Sequence, residues 1–372
     1  MNILTIGGAT QDILLQYDGI DLMSISQPQG TQSYLLFEAG AKIEVESITH
    51  LSGGGATNVA VSFRRQGFST TCICAVGNDE ASKHILQDLA QENVCTKYIK
   101  QIPSAATGTS YIVTSLHNDR TIFTYRGANT LLSTTDINEE VLSNASYIYI
   151  TSLSGNAAHT LPAITSLAKK HCVPVAINPG KSQLASNPEI LKESLKDVDI
   201  LILNSTEAKQ LMATLTNYDK SFHQAFNASS SKNPCALNQP DNAAYLLDQP
   251  IACQGMFFSL PNFFSTILNI GPRIVVVTNG ANGVYASSKK TMYFHPSIRV
   301  PVINTVGAGD AFGSAFVGSL LNGATIEKAL QHGIINSASV LSHVGAKAGL
   351  LTMATLEEQV QKIDLTIKTF NL

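Results

Sequence analysis

NTVGAGDAFGSAF, residues 304–316, is the stretch that decides how this chain folds. Val300–Ile303 before it is β-branched and proline-interrupted, as in an extended segment. Gly307-Ala308-Gly309 lets the backbone turn tightly with its N–H groups exposed. From Asp310 onward apolar residues continue at helical spacing to Leu321, and Asn322-Gly323 fits a C-cap. A glycine turn thus opens a helix with an acid in its first turn. Unpaired N–H groups and the helix dipole make such a start an anion site, and a carboxylate beside it is placed to take a proton. The plainer alternative is a capped helix start, since Asp is common in a first turn.

Other segments bear on that choice. Gly53–Asn58, GGGATN, opens a second helix through Gln66. It is either a glycine loop or a place where backbone meets a small ligand, with the Asn58 amide on a hydroxyl. Asp12 follows the first strand after Gly7-Gly8-Ala9-Thr10. It is either an exposed loop acid or an acceptor for vicinal hydroxyls. Asn204–Glu207, NSTE, directly follows the strand-like ILIL and is either a capping pair or a water-mediated Mg²⁺ site. Thr278–Gly283, TNGANG, is a hairpin turn or one wall of a nucleotide pocket. The histidines are scattered, and no Ser/His/Asp order, HExxH or GxxxxGK[ST] is present.

Bulk properties remove several classes. The 372 residues suffice for one large α/β domain or two ordinary ones, and a net charge of −3 gives no footprint for nucleic acid. No apolar run approaches membrane-spanning length. Met1–Leu15 lacks a basic leader and is expected to be a first strand. Cys72, Cys74, Cys95, Cys172, Cys235 and Cys253 form no CxxC pair, which suggests a reducing, cytoplasmic setting.

Strand-like and helical runs alternate along most of the chain, the signature of a sheet with helices on both faces. Two β-rich pieces interrupt this: Tyr34–Thr49, and Gly108–Arg126 with strands around an Asn118-Asp119 turn. They are expected either to extend an edge or to form a small sheet that acts as a lid or a dimer surface. Lys220–Phe264 is the least regular region, an expected insertion whose phenylalanines dock on something.

Together, and in this order, these pieces resemble the ribokinase-like carbohydrate kinase family of the phosphofructokinase B type. The resemblance spans nearly the whole chain and is carried by GGGATNVAVSFRRQG (53–67) and NTVGAGDAFGSAF (304–316), with GNDE (77–80), TG (107–108), YRGAN (125–129), NPG (178–180) and NSTE (204–207) between them. It implies an α/β fold, a doubly wound, mainly parallel sheet flanked by helices with a small β-sheet lid. Residues 1–372 would form a single kinase domain, with lid segments at about 14–50 and 107–127 and an irregular insertion at about 216–265. The implied activity is ATP- and Mg²⁺-dependent phosphorylation of a hydroxymethyl group on a small sugar. Asp310 would be the base and the Gly307, Ala308, Gly309 and Asp310 amides the anion hole. Asp12, Gly54, Asn58 and Arg126 would bind the substrate, and Asn204 and Glu207 would organise Mg²⁺. Thr278, Gly280, Gly283 and Asn336 would line the adenine pocket.

The chain departs from the family where members often carry Asp and here Asn304 stands, which puts activation by a monovalent cation such as K⁺ in question. Three other activities stay open at this level. A nucleoside kinase would need an apolar wall, for which Phe37, Tyr111 and Phe123 are candidates. A phosphosugar kinase would need cations, for which Lys42, Arg120 and Arg126 are candidates. A non-catalytic sugar or nucleotide sensor is the third. A β lid with exposed edges would also favour a homodimer.

Overall fold

The computed structural model describes residues 1–17, 19, 21–27, 30–114, 120–222, 246, 251–253, 256–363 and 366–372. The strands in chain order are β1 (Asn2–Ile6), β2 (Thr10–Gln16), β3 (Asp21–Gln27), β4 (Gly30–Leu36), β5 (Ser47–Gly53), β6 (Ser69–Ile73), β7 (Ala75–Val76), β8 (Lys100–Gln101), β9 (Gly108–Thr114) and β10 (Arg120–Tyr125). They continue with β11 (Tyr147–Ile150), β12 (Val175–Ile177), β13 (Ile200–Asn204), β14 (Ile251–Cys253), β15 (Met256–Phe258), β16 (Ile274–Thr278), β17 (Val284–Ser288), β18 (Thr291–His295) and β19 (Lys368–Asn371).

The main sheet has nine strands in the order β19-β18-β17-β16-β13-β12-β11-β1-β6. β6, β1, β11, β12, β13 and β16 run parallel, and β17 to β19 add an antiparallel edge. Sequence explains the split. YIYI of β11, VAI of β12 and most of ILILN in β13 are buried at successive positions because helices cover both faces. In β18, TMYFH, buried and half-buried residues mostly alternate, as expected of a strand nearer the edge. One apolar cluster gathers Leu4, Ile148, Val175, Leu201, Val275 and Phe263 on one face of the sheet. The other face carries Ile3, Phe63, Tyr149, Ile202, Val276 and Phe316.

β1 sits where the parallel order reverses, next to β6 on one side and β11 on the other. In open α/β sheets such a switch point opens a crevice beyond the strands' carboxyl ends. The second sheet, of order β10-β9-β2-β5, stands over that end. Gly108–Arg126 supplies β9 and β10, whereas of Tyr34–Thr49 only residues 47–49 join this sheet, in β5. Residues 34–36 pair with β3 in a separate two-stranded ladder, and β2 comes from the chain just after β1. The Asn118-Asp119 turn lies outside the described residues, as does much of the expected insertion.

Where that insertion is described, the structure narrows it. The Ser205–Tyr218 helix runs past residue 216, and Leu260–Ile270 is a regular helix capped by Ser259. Phe263 and Phe264 are fully buried in the main core and are not part of an irregular patch. Their i, i+1 placement, with Leu260 and Ile267, matches a helix face that a glance at composition does not reveal. The strand-like run through Val76 breaks at Cys74, where β7 leaves the main sheet to pair with β8.

Candidate active site

Two helices and one lid strand bring the site together. The Gly55–Arg65 helix begins behind Gly54, and the Ala308–Leu321 helix begins behind Gly307. The helices lie side by side. Ser314 Oγ donates to Ser62 Oγ at 2.7 Å, and Asn336 Nδ2 donates to the Ala311 carbonyl at 2.8 Å. This polar seam fixes the two N-termini relative to each other, because each buried polar group must find its partner there.

At the head of the seam Asn58 Nδ2 donates to Asp310 Oδ2 at 2.8 Å. The two residues are 252 positions apart in sequence. Asn58 Oδ1 is buried without a hydrogen-bond partner among the described residues. An unpartnered buried acceptor costs on the order of 1–3 kcal/mol, which a ligand hydroxyl would recover. Burial pushes the Asp310 carboxyl above the usual carboxylate range; the Asn58 amide opposes this, the negative charge of Asp12 adds to it, and Lys347 opposes it.

Asp12 comes from β2, paired with Leu51 of β5 and Ser110 of β9. Only 6% of it is exposed. Thr10 Oγ1 donates to its Oδ1 at 3.1 Å. Burial raises its carboxyl too, with Thr10, Ser110 and Lys347 acting in the other direction. Gly54 has φ 98°, and a Cβ there would lie 2.5 Å from Ala9 Cα and from the Gly8 carbonyl oxygen. Glycine is needed for both reasons.

Gly307 has φ 83°, and a Cβ there would meet Ala346 Cβ at 2.4 Å. Gly309 is different: it is exposed, and a Cβ there would meet no described residue within 4 Å. The first turn of this helix therefore presents bare backbone to open space, with N–H groups that have no intrahelical partner. A phosphate fits such a cradle.

Asn204 and Glu207 form a reciprocal cap at the Ser205–Tyr218 helix: Glu207 N donates to Asn204 Oδ1 and Asn204 N to Glu207 Oε2, both at 2.8 Å. Burial raises the Glu207 carboxyl, the Asn204 and Asn178 donors oppose it, and the charge of Asp310 raises it further. Glu207 and Asp310 thus share one field. Asn204 also pairs in register with Thr278 at the carboxyl end of the sheet. Gly280 is open, and Gly283 packs on the His295 carbonyl.

Two candidates stand apart. Asn336 is fully buried, and its Oδ1 accepts from Leu351 N at 2.9 Å, so its amide is occupied inside the seam. Arg126 is exposed and precedes the Gly127–Thr130 turn.

Three further residues shape the site without having been singled out by sequence. Asn129 clamps the loop after β1, accepting from Ala9 N at 2.9 Å and donating to Ala9 O at 2.7 Å. Asp79 fixes the start of β9 by accepting from Thr107 N at 2.7 Å and Thr107 Oγ1 at 2.6 Å. Burial raises its carboxyl, but the Thr107 and Ser82 donors outweigh that and leave it low. The capping spacing Asp79-x-x-Ser82 was a usable signal for it, and Asn129 ends the YRGAN motif. Lys347 lies in the glycine-rich run HVGAKAG (343–349), whose carbonyls could hold an adenine or a cation but whose sequence does not name a partner for the lysine; its ammonium donates to Ser52 Oγ at 2.6 Å across 295 residues of chain.

No helix among the described residues is long and apolar enough to cross a membrane. The ribokinase of Staphylococcus aureus is 27% identical over 320 residues, covering 84% of this chain and 90% of that protein. A ribokinase II candidate from Escherichia coli, solved with ATP and Mg²⁺, superposes with a TM-score of 0.72 at 18% identity, over 97% of this chain and 99% of that one. A nucleoside kinase of Burkholderia thailandensis, solved with inosine, gives 0.69 at 16% identity, over 97% and 98%. The profile of the pfkB family of carbohydrate kinases matches residues 20–236 and 262–353, a span that holds Asn58, Glu207 and Asp310. With both glycine turns meeting at one carboxylate inside that span, the chain belongs to the pfkB family of carbohydrate kinases, which transfer phosphate from ATP.

Proposed function

We propose that this kinase phosphorylates a hydroxymethyl group on a small sugar, with Asp310 as the general base. The observation that carries the reading is the 2.8 Å bond from Asn58 to Asp310, which puts a hydroxyl-binding amide on the carboxylate that faces the glycine cradle. The acceptor would lie with its ring hydroxyls on Asp12 and Asn58 Oδ1 and its primary hydroxyl against Asp310. As that oxygen bonds to the terminal phosphorus of ATP, its proton passes to Asp310, and the bond from phosphorus to the bridging oxygen breaks to release ADP. A carboxyl held above its ordinary range is the stronger base, and such a base contributes ~10²–10⁴ in rate. The Gly307–Asp310 amides would take up charge on the transferring group.

The residues present fit Mg²⁺ sparingly. Among the described residues no cluster of three or more His, Cys, Asp or Glu could cage a metal. A single carboxylate, Glu207, with Asn204 is a set that suits Mg²⁺, which keeps several waters and completes its shell with phosphate. When bound, the ion would neutralise phosphate charge. Thr278, Gly280 and Gly283 would border the nucleotide, whereas Asn336 would act only through the seam.

The residues do not fit a K⁺ ion held by residue 304. Asn304 Oδ1 accepts from Val306 N at 2.8 Å, which fixes the amide's orientation, since an N–H must face oxygen. Its Nδ2 is left buried and without a partner among the described residues, a donor where a cation would want an acceptor.

The lid favours a sugar over a nucleoside. Side chains alternate across a strand, so Asp12 shares its face with Ser110 and, through the β9–β10 register, with Thr124. Tyr111 and Phe123 pair on the opposite face and are 46% and 56% exposed. They give no wall to a base beside Asp12. That outward aromatic row, with Tyr125, supports a homodimer through the lid. We further read residues 1–372 as one kinase domain with lid segments at about 14–50 and 107–127. Cys72 and Cys74, buried as free thiols with sulfurs 3.9 Å apart, support a reducing, cytoplasmic setting.

The test is ADP release from ATP–Mg²⁺ with pentoses, hexoses, sugar phosphates and nucleosides, in Na⁺ and in K⁺. Turnover on an unphosphorylated sugar, equal in both salts, is expected. Turnover on nucleosides alone would overturn the sugar reading, and ligand binding without turnover on any acceptor would favour a sensor.

A further inference from the structure

The loop Gly345–Lys347 touches both halves of the site. Ala346 packs on Gly307 at the start of the phosphate cradle, and Gly345 lies against Leu51, the register partner of Asp12. Lys347 Nζ reaches Ser52 Oγ at 2.6 Å. Ser52 is next to Leu51, so it faces away from Asp12, and the ammonium sits behind the strand that floors the acceptor site. Arg65 holds the loop there. Its Nη1 donates to the carbonyls of Lys347 and Leu350 at 2.7 and 3.1 Å, while its Nε pairs with Glu92 at 3.2 Å.

We propose that Lys347 is a positioning residue, a built-in counter-cation that balances the charges of Asp12 and Asp310 and ties the acceptor strand to the phosphate cradle. The proposal rests on Asp310 acting as the base. Two carboxylates in one buried cleft repel each other, and a site that needs both ionised requires a nearby positive charge. Among the described residues Lys347 is the cation that acts on both. Asp88 from the Glu80–Gln91 helix, Cys72 and Cys74 from β6 and just beyond it, and Asp12 from β2 face the ammonium. Burial outweighs these acids and thiols and brings Lys347 down to about 8. The charge is therefore present at neutral pH and lost in the mildly alkaline range.

The experiment is the pH dependence of kcat/KM, with the best acceptor of the panel, for wild type, Lys347→Met, Lys347→Arg and Asp310→Asn, with thermal melting and ATP affinity as checks on folding. Lys347→Met should move the acidic limb up by about one pH unit, as loss of a neighbouring opposite charge does. Its KM for the acceptor should rise ~10-fold while that for ATP stays put. Lys347→Arg should keep neutral activity and lose the fall near pH 8, because a guanidinium does not deprotonate there. A folded Lys347→Met with wild-type acidic limb and acceptor KM overturns the proposal, and inactivity of Asp310→Asn in the same series shows that the base assignment survives it. If Lys347→Met does not fold, an alkaline limb that persists in Lys347→Arg overturns it instead. Turnover retained by Asp310→Asn would remove the base assignment and this proposal together.

Discussion

The glycine turns at Gly53–Gly55 and Gly307–Gly309 look alike in sequence and start helices in the same way, yet they use glycine for different ends. At Gly54 the backbone is pressed against Gly8 and Ala9, and a methyl group would lie 2.5 Å from main-chain atoms. At Gly309 no described residue lies within 4 Å of where a methyl group would stand. The first turn is closed by the protein itself. The second is left open to a ligand. Composition cannot separate a glycine needed for packing from one needed for approach; only what faces it can.

Substitutions at the two turns should separate along that line. The largest effect falls on the residue they share: Asp310→Asn should lower kcat by ~10²–10⁴ with melting temperature and ATP affinity kept, since the amide has the carboxylate's shape and can still accept from Asn58 Nδ2. Gly309→Ala should fold with wild-type stability and lose turnover by ~10²-fold, the scale of a lost anion-hole donor, measured at saturating acceptor. Gly54→Ala should act on folding, losing ~1–3 kcal/mol in denaturant titration from its positive φ and its main-chain contact.

The pH dependence follows from the carboxylates. A base must be ionised, and burial raises both Asp310 and Asp12. Activity should therefore fall with acid at a pH above the ordinary carboxylate value of about 4. Tyr111→Ala should do least, changing the acceptor KM by no more than about twofold, because its ring faces away from Asp12.

The main sheet was legible because its central strands are runs of Val, Ile and Leu separated by helical periods. Half of the small sheet, β9 and β10, was legible as an interruption of that rhythm; β2 was not, because it follows β1 too closely to stand out as a segment of its own. Asp310, Asn58 and Asp12 could be named because each stands beside a glycine turn at a strand end or helix start. Their meeting could not be named: the Asn58–Asp310 bond joins residues 252 apart, and spacing carries no such distance. Asn336 went astray for a related reason. It sits on a helix with the right polarity, but its amide is occupied by Ala311 and Leu351. Whether Tyr111 and Phe123 line a pocket could not be read, because strand alternation gives two faces without saying which one meets Asp12. The glycine-rich run around Lys347 was visible, but nothing in it names Ser52 as the lysine's partner.

The central claim is that the two turns form one site through Asn58 and Asp310. A double-mutant cycle on kcat at saturating ATP and acceptor tests it most directly. If Asn58 works by holding the base, Asn58→Ala combined with Asp310→Asn should be no slower than Asp310→Asn alone. If the two losses multiply instead, the turns act independently, and the 2.8 Å bond between them is not part of the machinery.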